Sequence, residues 1–221
     1  MQISSRIKTI GDFIEDGENI IDVGADHGLL ELYLLSKFQN IRITAVENKI
    51  GPFKILENNL KGYKNVFLSL SDGLECLSSD IKTAVIAGMG GVNIKNILDE
   101  NHEKVKKLKK IVIDAHRDIE IARRTIVDFG FKINKEKIVY EQGKFYVVSE
   151  FLKVEKPHNY TRDILQFGYE LYKDDLWPKY KEHLILENNK TIEKIKDILS
   201  MQDRVLYLKN INVRLENYGK N

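Results

Sequence analysis

The chain has 221 residues, 43% of them apolar and 31% charged, with a formal net charge of +2, which leaves room for one α/β domain and a small appendage. A single cysteine, Cys76, excludes an intramolecular disulfide, and five histidines without zinc spacing give no reason to expect a metal. The near-neutral balance leaves nucleic-acid affinity to local patches. No apolar run approaches the roughly 20 residues of a membrane span, and 1–14 lacks a signal-peptide core, so a cytoplasmic protein is expected.

Ser4 or Ser5 can cap a first helix with Ile7, Ile10 and Ile14 on one face and Arg6 and Lys8 off it. Such a helix covers a sheet edge. Because it leads directly into the first strand, Arg6 and Lys8 are also candidates for contact with a phosphate backbone. The apolar run Ile20-Ile21-Asp22-Val23 then breaks at Gly24 and resumes as an apolar-periodic segment through Leu35, the pattern of a buried strand turning into a helix. Gly24, Asp26 and His27 fall at that turn, on the carboxyl side of the strand, where open α/β sheets bind small molecules.

Ile41 to Val46 reads as a second strand ending in Glu47, whose carboxylate suits the two hydroxyls of a ribose. Gly51-Pro52 opens a helix that runs to Leu60. Val66 to Leu70 is a third strand that empties into Ser71-Asp72-Gly73; the aspartate can accept from an exocyclic amine and the glycine lets a backbone approach. Thr83 to Ala87 is a fourth, followed by Gly88-Met89-Gly90-Gly91, a glycine cluster that leaves a gap for a flat ring unless it is simply a mobile loop. Met89 suits the core equally well.

The basic run Lys104 to Lys110 reads as a solvated helix face, with an RNA patch as the alternative. It leads into a fifth strand, Ile111 to Asp114, beyond which Asp114, His116 and Asp118 alternate without the further spacing a metal would need. A helix over 119–129 precedes two alternating segments, 131–139 and 144–152, joined at Glu141-Gln142-Gly143 as a hairpin. An antiparallel pair closing a parallel sheet is typical of Rossmann-like methyltransferases, and this domain is expected to span 1–157. From Trp177 onward Leu184, Ile192, Ile195 and Leu199, then Val205, Leu208, Ile211 and Leu215, recur at helical spacing. That predicts a coiled-coil-like helical hairpin within 158–221 whose lysines offer a grip on RNA.

The glycine turn lacks the full G-x-G-x-x-G of dinucleotide sites and sets a carboxylate where a pyrophosphate would be repelled. S-adenosylmethionine carries an ammonium and a sulfonium, which an aspartate tolerates. In Ser5-Arg6-Ile7-Lys8-Thr9-Ile10, Asp22 to His27, Val46-Glu47, Gly51-Pro52, Asp72-Gly73-Leu74, Ala87 to Gly91 and Gly143-Lys144-Phe145-Tyr146, the chain resembles the bacterial tRNA (adenine-22-N1) methyltransferases over nearly its whole length. It departs from them at Ala25, and at Asp114-Ala115-His116 where Gln-Pro is usual.

The resemblance implies a class I methyltransferase fold and transfer of a methyl group to N1 of an unpaired or flipped tRNA adenine. It assigns Asp22, Gly24, Glu47, Asp72, Gly73 and Gly88 to S-adenosylmethionine, and Asp26 to catalysis beside the adenine amine. Arg6, Lys8, His27, Met89, Gly90 and Gly91 are left for the substrate, with no metal and a monomeric enzyme. Two other readings stay open: a nonenzymatic RNA-binding protein that retains a cofactor fold, and a methyltransferase for small molecules.

Overall fold

The computed structural model describes residues 3–220. The chain divides into two compact units, the first ending at Asn159 and the second starting at Tyr160. In the first, α1 (Ser5–Gly11) leads into β1 (Asn19–Val23), α2 (Leu29–Lys37), β2 (Arg42–Glu47), α3 (Ile50–Leu60) and β3 (Val66–Leu70). The chain then crosses back to β4 (Thr83–Gly90), α4 (Gly91–Glu100), α5 (His102–Val105), β5 (Lys110–Arg117), α6 (Ile119–Asp128), β6 (Phe131–Glu141) and β7 (Lys144–Lys153).

The seven strands lie in the order β3-β2-β1-β4-β5-β7-β6. β1 to β5 pair in parallel, and β7 runs antiparallel to both β5 and β6. This is the Rossmann-like class I methyltransferase sheet with its closing hairpin. Parallel strands covered on both faces must be apolar on both, and in β1 Ile20, Ile21 and Val23 are all buried. On one face Ile20, Ile43, Val85 and Val112 meet Ile7 and Ile10 of α1, Leu30 and Leu34 of α2, and Leu56 and Leu60 of α3. α4 and α6 pack together and bury Ile94, Leu98, Ala122 and Ile126. α1 starts where Ser4 accepts a hydrogen bond from the Ile7 N–H at 3.3 Å. It ends at Gly11, so Ile14 is buried beyond the helix rather than on its face.

The basic run is not one helix face, although Lys106, Lys107 and Lys109 are exposed. Helix α5 covers only His102–Val105, and the Lys104 ammonium donates to the Leu74 and Glu75 carbonyls at 3.1 and 2.5 Å. Lys110 opens β5 and is buried, its ammonium 2.6 Å from Glu18 and 2.9 Å from the Phe13 carbonyl. A buried ammonium persists only with such partners.

The second unit holds α7 (Arg162–Phe167), a 3-10 turn at Leu171–Lys173, α8 (Trp177–Ile195) and α9 (Gln202–Asn217). α8 and α9 form the expected hairpin around Ile192, Val205 and Leu208. α7 is an addition to it, capped by Thr161 and tied to α9 by the Asp163–Arg214 ion pair. Leu199 leaves the apolar stripe: it lies in the 3-10 turn between the helices and is 89% exposed.

Candidate active site

Strand order reverses between β1 and β4, and a crevice at the carboxyl ends of those strands is where such sheets hold ligands. The β1–α2 turn enters it with Gly24 at φ +79, a conformation that suits glycine. The N–H groups of Gly24 and Ala25 both donate to the Val46 carbonyl, at 2.8 and 2.9 Å, which ties this turn to the end of β2. Asp26 follows at φ +52, in the left-handed region that aspartate tolerates better than most residues. Its carboxylate is 65% exposed and lies 3.6 Å from the His27 ring.

Two hollows flank the switch. The first, of about 310 Å³, is lined by Asp22, Gly24, Asp26, Gly88, Arg6 and His116, among others. The second, of about 520 Å³, lies over the ends of β2 and β3 and is lined by Lys49, Asp72, Gly73, Met89 and Asn101, among others. Glu47 stands between the loops that shape them. One of its oxygens accepts from the Asp26 N–H at 3.2 Å and the other from the Lys49 N–H at 2.9 Å. Each carboxylate oxygen has a second lone pair, so Glu47 can brace both loops and still accept from a ribose. Asp72 is held by the Asn48 amide at 3.2 Å.

Beneath the turn lies a pair of buried acids. Burial pushes the Asp22 carboxyl up to about 6, against an ordinary 3.8. Burial, reinforced by the Asp22 charge, holds Glu31 well above its usual range. Both Glu31 carboxyl oxygens are buried without a well-formed hydrogen bond.

The opposite wall is built from distant parts of the chain. Arg6 Nη1 lies 3.1 Å from Asp114 Oδ2 and 2.7 Å from His116 Nε2. Its guanidinium sits 5.1 Å over the Tyr146 ring, and the backbone N–H groups of Ser5 and Arg6 donate to the Glu141 carboxylate at 3.3 and 3.1 Å. A larger hollow of about 620 Å³ opens at the amino ends of the strands, beside Asn19, Thr83 and Lys110. That is the wrong end of the sheet for this chemistry, and Lys110 there is neutralised by Glu18 and Glu150.

The profile of the methyltransferase-domain family matches residues 3–149. The chain belongs to this methyltransferase family. Among curated proteins it is 28% identical over 152 residues to the tRNA (adenine(22)-N(1))-methyltransferase of Bacillus subtilis, covering 67% of this chain and 64% of that one. Among solved structures, an uncharacterized protein from Listeria monocytogenes has a TM-score of 0.89 at 24% identity, over 98% of this chain and 99% of that one. TrmK of M. capricolum, solved with S-adenosyl-homocysteine, has a TM-score of 0.84 at 22% identity, over 99% and 98%. These two likenesses concern the fold.

The methyltransferase brings Asp22, Gly24, Asp26, His27, Gly88 and Arg6 to one hollow and Asp72, Gly73 and Met89 to the other. Lys8 is exposed and lines neither. Arg6 is no free cation for a phosphate backbone, because Asp114 and His116 hold it in the wall. The glycine cluster is not an open gap either. β4 continues to Gly90 through an irregular register beside β5. A Cβ on Gly91 would collide with the Asp118 carbonyl, and one on Gly90 would lie 3.0 Å from the Arg117 side chain. Gly91 therefore admits the β5–α6 turn rather than a base, and Gly90 lies under the Arg117 side chain. Met89 Cε would meet a Cβ on Gly24 at 2.6 Å, so this methionine closes over the first turn. The sequence alone gives Asp114 and His116 no chemistry and Glu31 no distinction, and it marks Tyr146 only as part of a motif in the closing hairpin. In the sequence this wall is marked only by separate signals, the Ser5 to Ile10 and Gly143 to Tyr146 segments and the polar residues after the fifth strand.

Proposed function

We propose that this methyltransferase transfers the methyl group of S-adenosylmethionine to N1 of adenine 22 in tRNA, as a monomer in the cytoplasm. The Bacillus subtilis relative carries that activity in its name, and family membership supports the reaction type. The observation that carries the reading is the composition of the switch. Asp22, Asp26, Glu47 and Asp72 gather there, and none is ion-paired to a lysine or arginine side chain among the described residues. Such a set fits a cofactor bearing an ammonium and a sulfonium and would repel a pyrophosphate.

S-adenosylmethionine, when bound, supplies an electrophilic methyl group that adenine N1 takes with its own lone pair, the C–S electron pair staying on sulfur. The protein therefore needs no base before transfer; its work is alignment and stabilisation of the positive charge left on the ring. Asp22 at the floor suits the ammonium, Glu47 the ribose hydroxyls, and Asp72 with Gly73 the cofactor's adenine. Asp26 remains for the target base, where its exposed carboxylate holds the exocyclic amine, offsets the new charge and can accept a proton. The helical unit over 158–221 is assigned to RNA: Lys179, Lys194 and Lys209 are exposed there without an ion-pair partner among the described residues.

Incubating the chain with labelled S-adenosylmethionine and unmodified tRNA, then mapping the label, tests this. Methylation at N1 of adenine 22 is expected. Label at another nucleotide, or transfer that needs no RNA, overturns it.

A further inference from the structure

We propose that His116 donates a hydrogen bond from Nδ1 to a ring nitrogen of the target adenine, and that Arg6 and Asp114 hold it in the tautomer that makes it a donor. The inference rests on the reading that the target is a tRNA adenine.

An arginine is always a donor and always charged, so the 2.7 Å contact between Arg6 Nη1 and His116 Nε2 requires a lone pair on Nε2. The ring then carries its single proton on Nδ1. Asp114 fixes the arginine that sets this choice. It is fully buried, binds Arg6 Nη1 through Oδ2 at 3.1 Å, and lies at 3.5 Å from His116 Nε2, too far to compete for that nitrogen. Tyr146 completes the mounting, with Arg6 over its face and the His116 ring set against it at 5.4 Å and 66°. Three side chains, Arg6 of α1, Asp114 of β5 and Tyr146 of β7, thus fix the orientation of one imidazole. That imidazole is 40% exposed in the hollow that also holds Asp26, and its Nδ1 has no partner among the described residues.

The topology says what the donor meets. With the cofactor laid over the ends of β1, β2 and β3 by Gly24, Glu47 and Asp72, the β5 side of the crevice faces the group that receives the methyl. Adenine has three ring acceptors outside the glycosidic nitrogen, N1, N3 and N7. N1 must stay free for the methyl, and the exocyclic amine is a donor suited to Asp26. A fixed N–H on the β5 side is therefore complementary to N7 or N3. His116 and Asp26 then grip opposite hydrogen-bonding characters of the same base.

The test pairs substitutions with base analogues. Unmodified tRNA carrying adenine, 7-deazaadenine or 3-deazaadenine at the target position is offered to the wild type, His116→Ala and His116→Gln, with kcat, KM and cofactor affinity measured separately. The wild type should lose about tenfold in kcat/KM on one analogue, the size of one lost hydrogen bond. His116→Ala should lose about tenfold on adenine and nothing further on that analogue. His116→Gln, whose amide restores a donor, should recover most of the loss, and cofactor affinity should stay within about twofold in all three. Full activity of His116→Ala on adenine overturns the proposal, as do losses from analogue and substitution that multiply, or a loss confined to cofactor affinity. A wild type that methylates no tRNA adenine overturns the underlying reading and this inference with it, and is recognised before any variant is made.

Discussion

On the β1–β2–β3 flank of the crevice, Gly24, Glu47 and Asp72 each lie at or within two residues of the end of a strand. On the β4–β5 flank, Arg6 reaches Asp114 and His116 across 108 and 110 positions of chain. The first flank is assembled by local turns that only a parallel sheet brings side by side. The second is a tertiary object, made when α1 docks against the hairpin and β5. The proposed function divides the work along the same line, giving the cofactor to the local flank and the substrate to the assembled one.

Asp26 stands where the flanks meet, and the largest effect is expected there. Asparagine also tolerates the left-handed region, so Asp26→Asn removes the charge and keeps the φ +52 turn. Turnover should fall on the order of 100-fold or more, while cofactor affinity measured by calorimetry changes less than about threefold. Equal losses in both would move Asp26 to the cofactor flank.

The next effect is on folding. Gly91→Ala would drive a Cβ into the Asp118 carbonyl, a clash with backbone that no side-chain rotation relieves. Its cost should be about 3 kcal/mol, lowering the melting temperature of the first unit by on the order of 10 °C. Gly51→Ala, in α3 with nothing within 4 Å of the added Cβ, should leave that temperature unchanged or slightly raised. If Gly91→Ala melts like Gly51→Ala, the turn after β5 is looser than drawn and the glycine cluster could admit a base after all.

Glu47→Gln probes the join between the flanks from the cofactor side. Gln offers one carbonyl oxygen where the carboxylate now serves the Asp26 and Lys49 N–H groups with two, so one loop loses its brace and the ribose loses a charged acceptor. Cofactor affinity should weaken about tenfold. Turnover at saturating cofactor should fall too, because the Asp26 N–H is one of the two donors left competing for a single oxygen. Weakened affinity with unchanged turnover would show that Asp26 is positioned independently of Glu47.

The same contrast explains what could be read from the chain alone. The apolar strands, the glycine turn and the carboxylates near the ends of β1, β2 and β3 are local signals, whereas the order in which the strands lie side by side is set by tertiary packing. Lys110 reads as one lysine in a basic run because its partners, Glu18 and the Phe13 carbonyl, lie more than ninety positions earlier. Gly90 and Gly91 announce a close approach, but a glycine does not say whether a ligand or the protein's own backbone comes near. α7 has six residues, too few to display a helical period. Asp114 and His116 look like strand-end polar residues until Arg6 is folded onto them.

Glu31 was hidden for a different reason. Its place in α2 looks like an ordinary polar position between leucines, yet the side chain is fully buried beside Asp22. Between its ordinary 3.8 and about 6, Asp22 keeps in the folded state a proton that the unfolded chain has released, and Glu31, held well above its usual range, acts in the same direction. The folded state therefore binds more protons than the unfolded one, and stability falls as pH rises through this window. Glu31→Gln retains the shape, removes one titrating group and offers Asp22 an amide donor in place of a competing acid. Melting temperatures of the ligand-free variant should depend less steeply on pH as it rises from 4 past 6, and should exceed the wild type by a few degrees at the upper end, a gain of about 1 kcal/mol. A variant that melts lower by the same amount at every pH would show that Glu31 is held by its packing alone. A flattened profile would instead show that this flank, legible as it is in its turns, rests on a buried acid pair whose proton stabilises the fold.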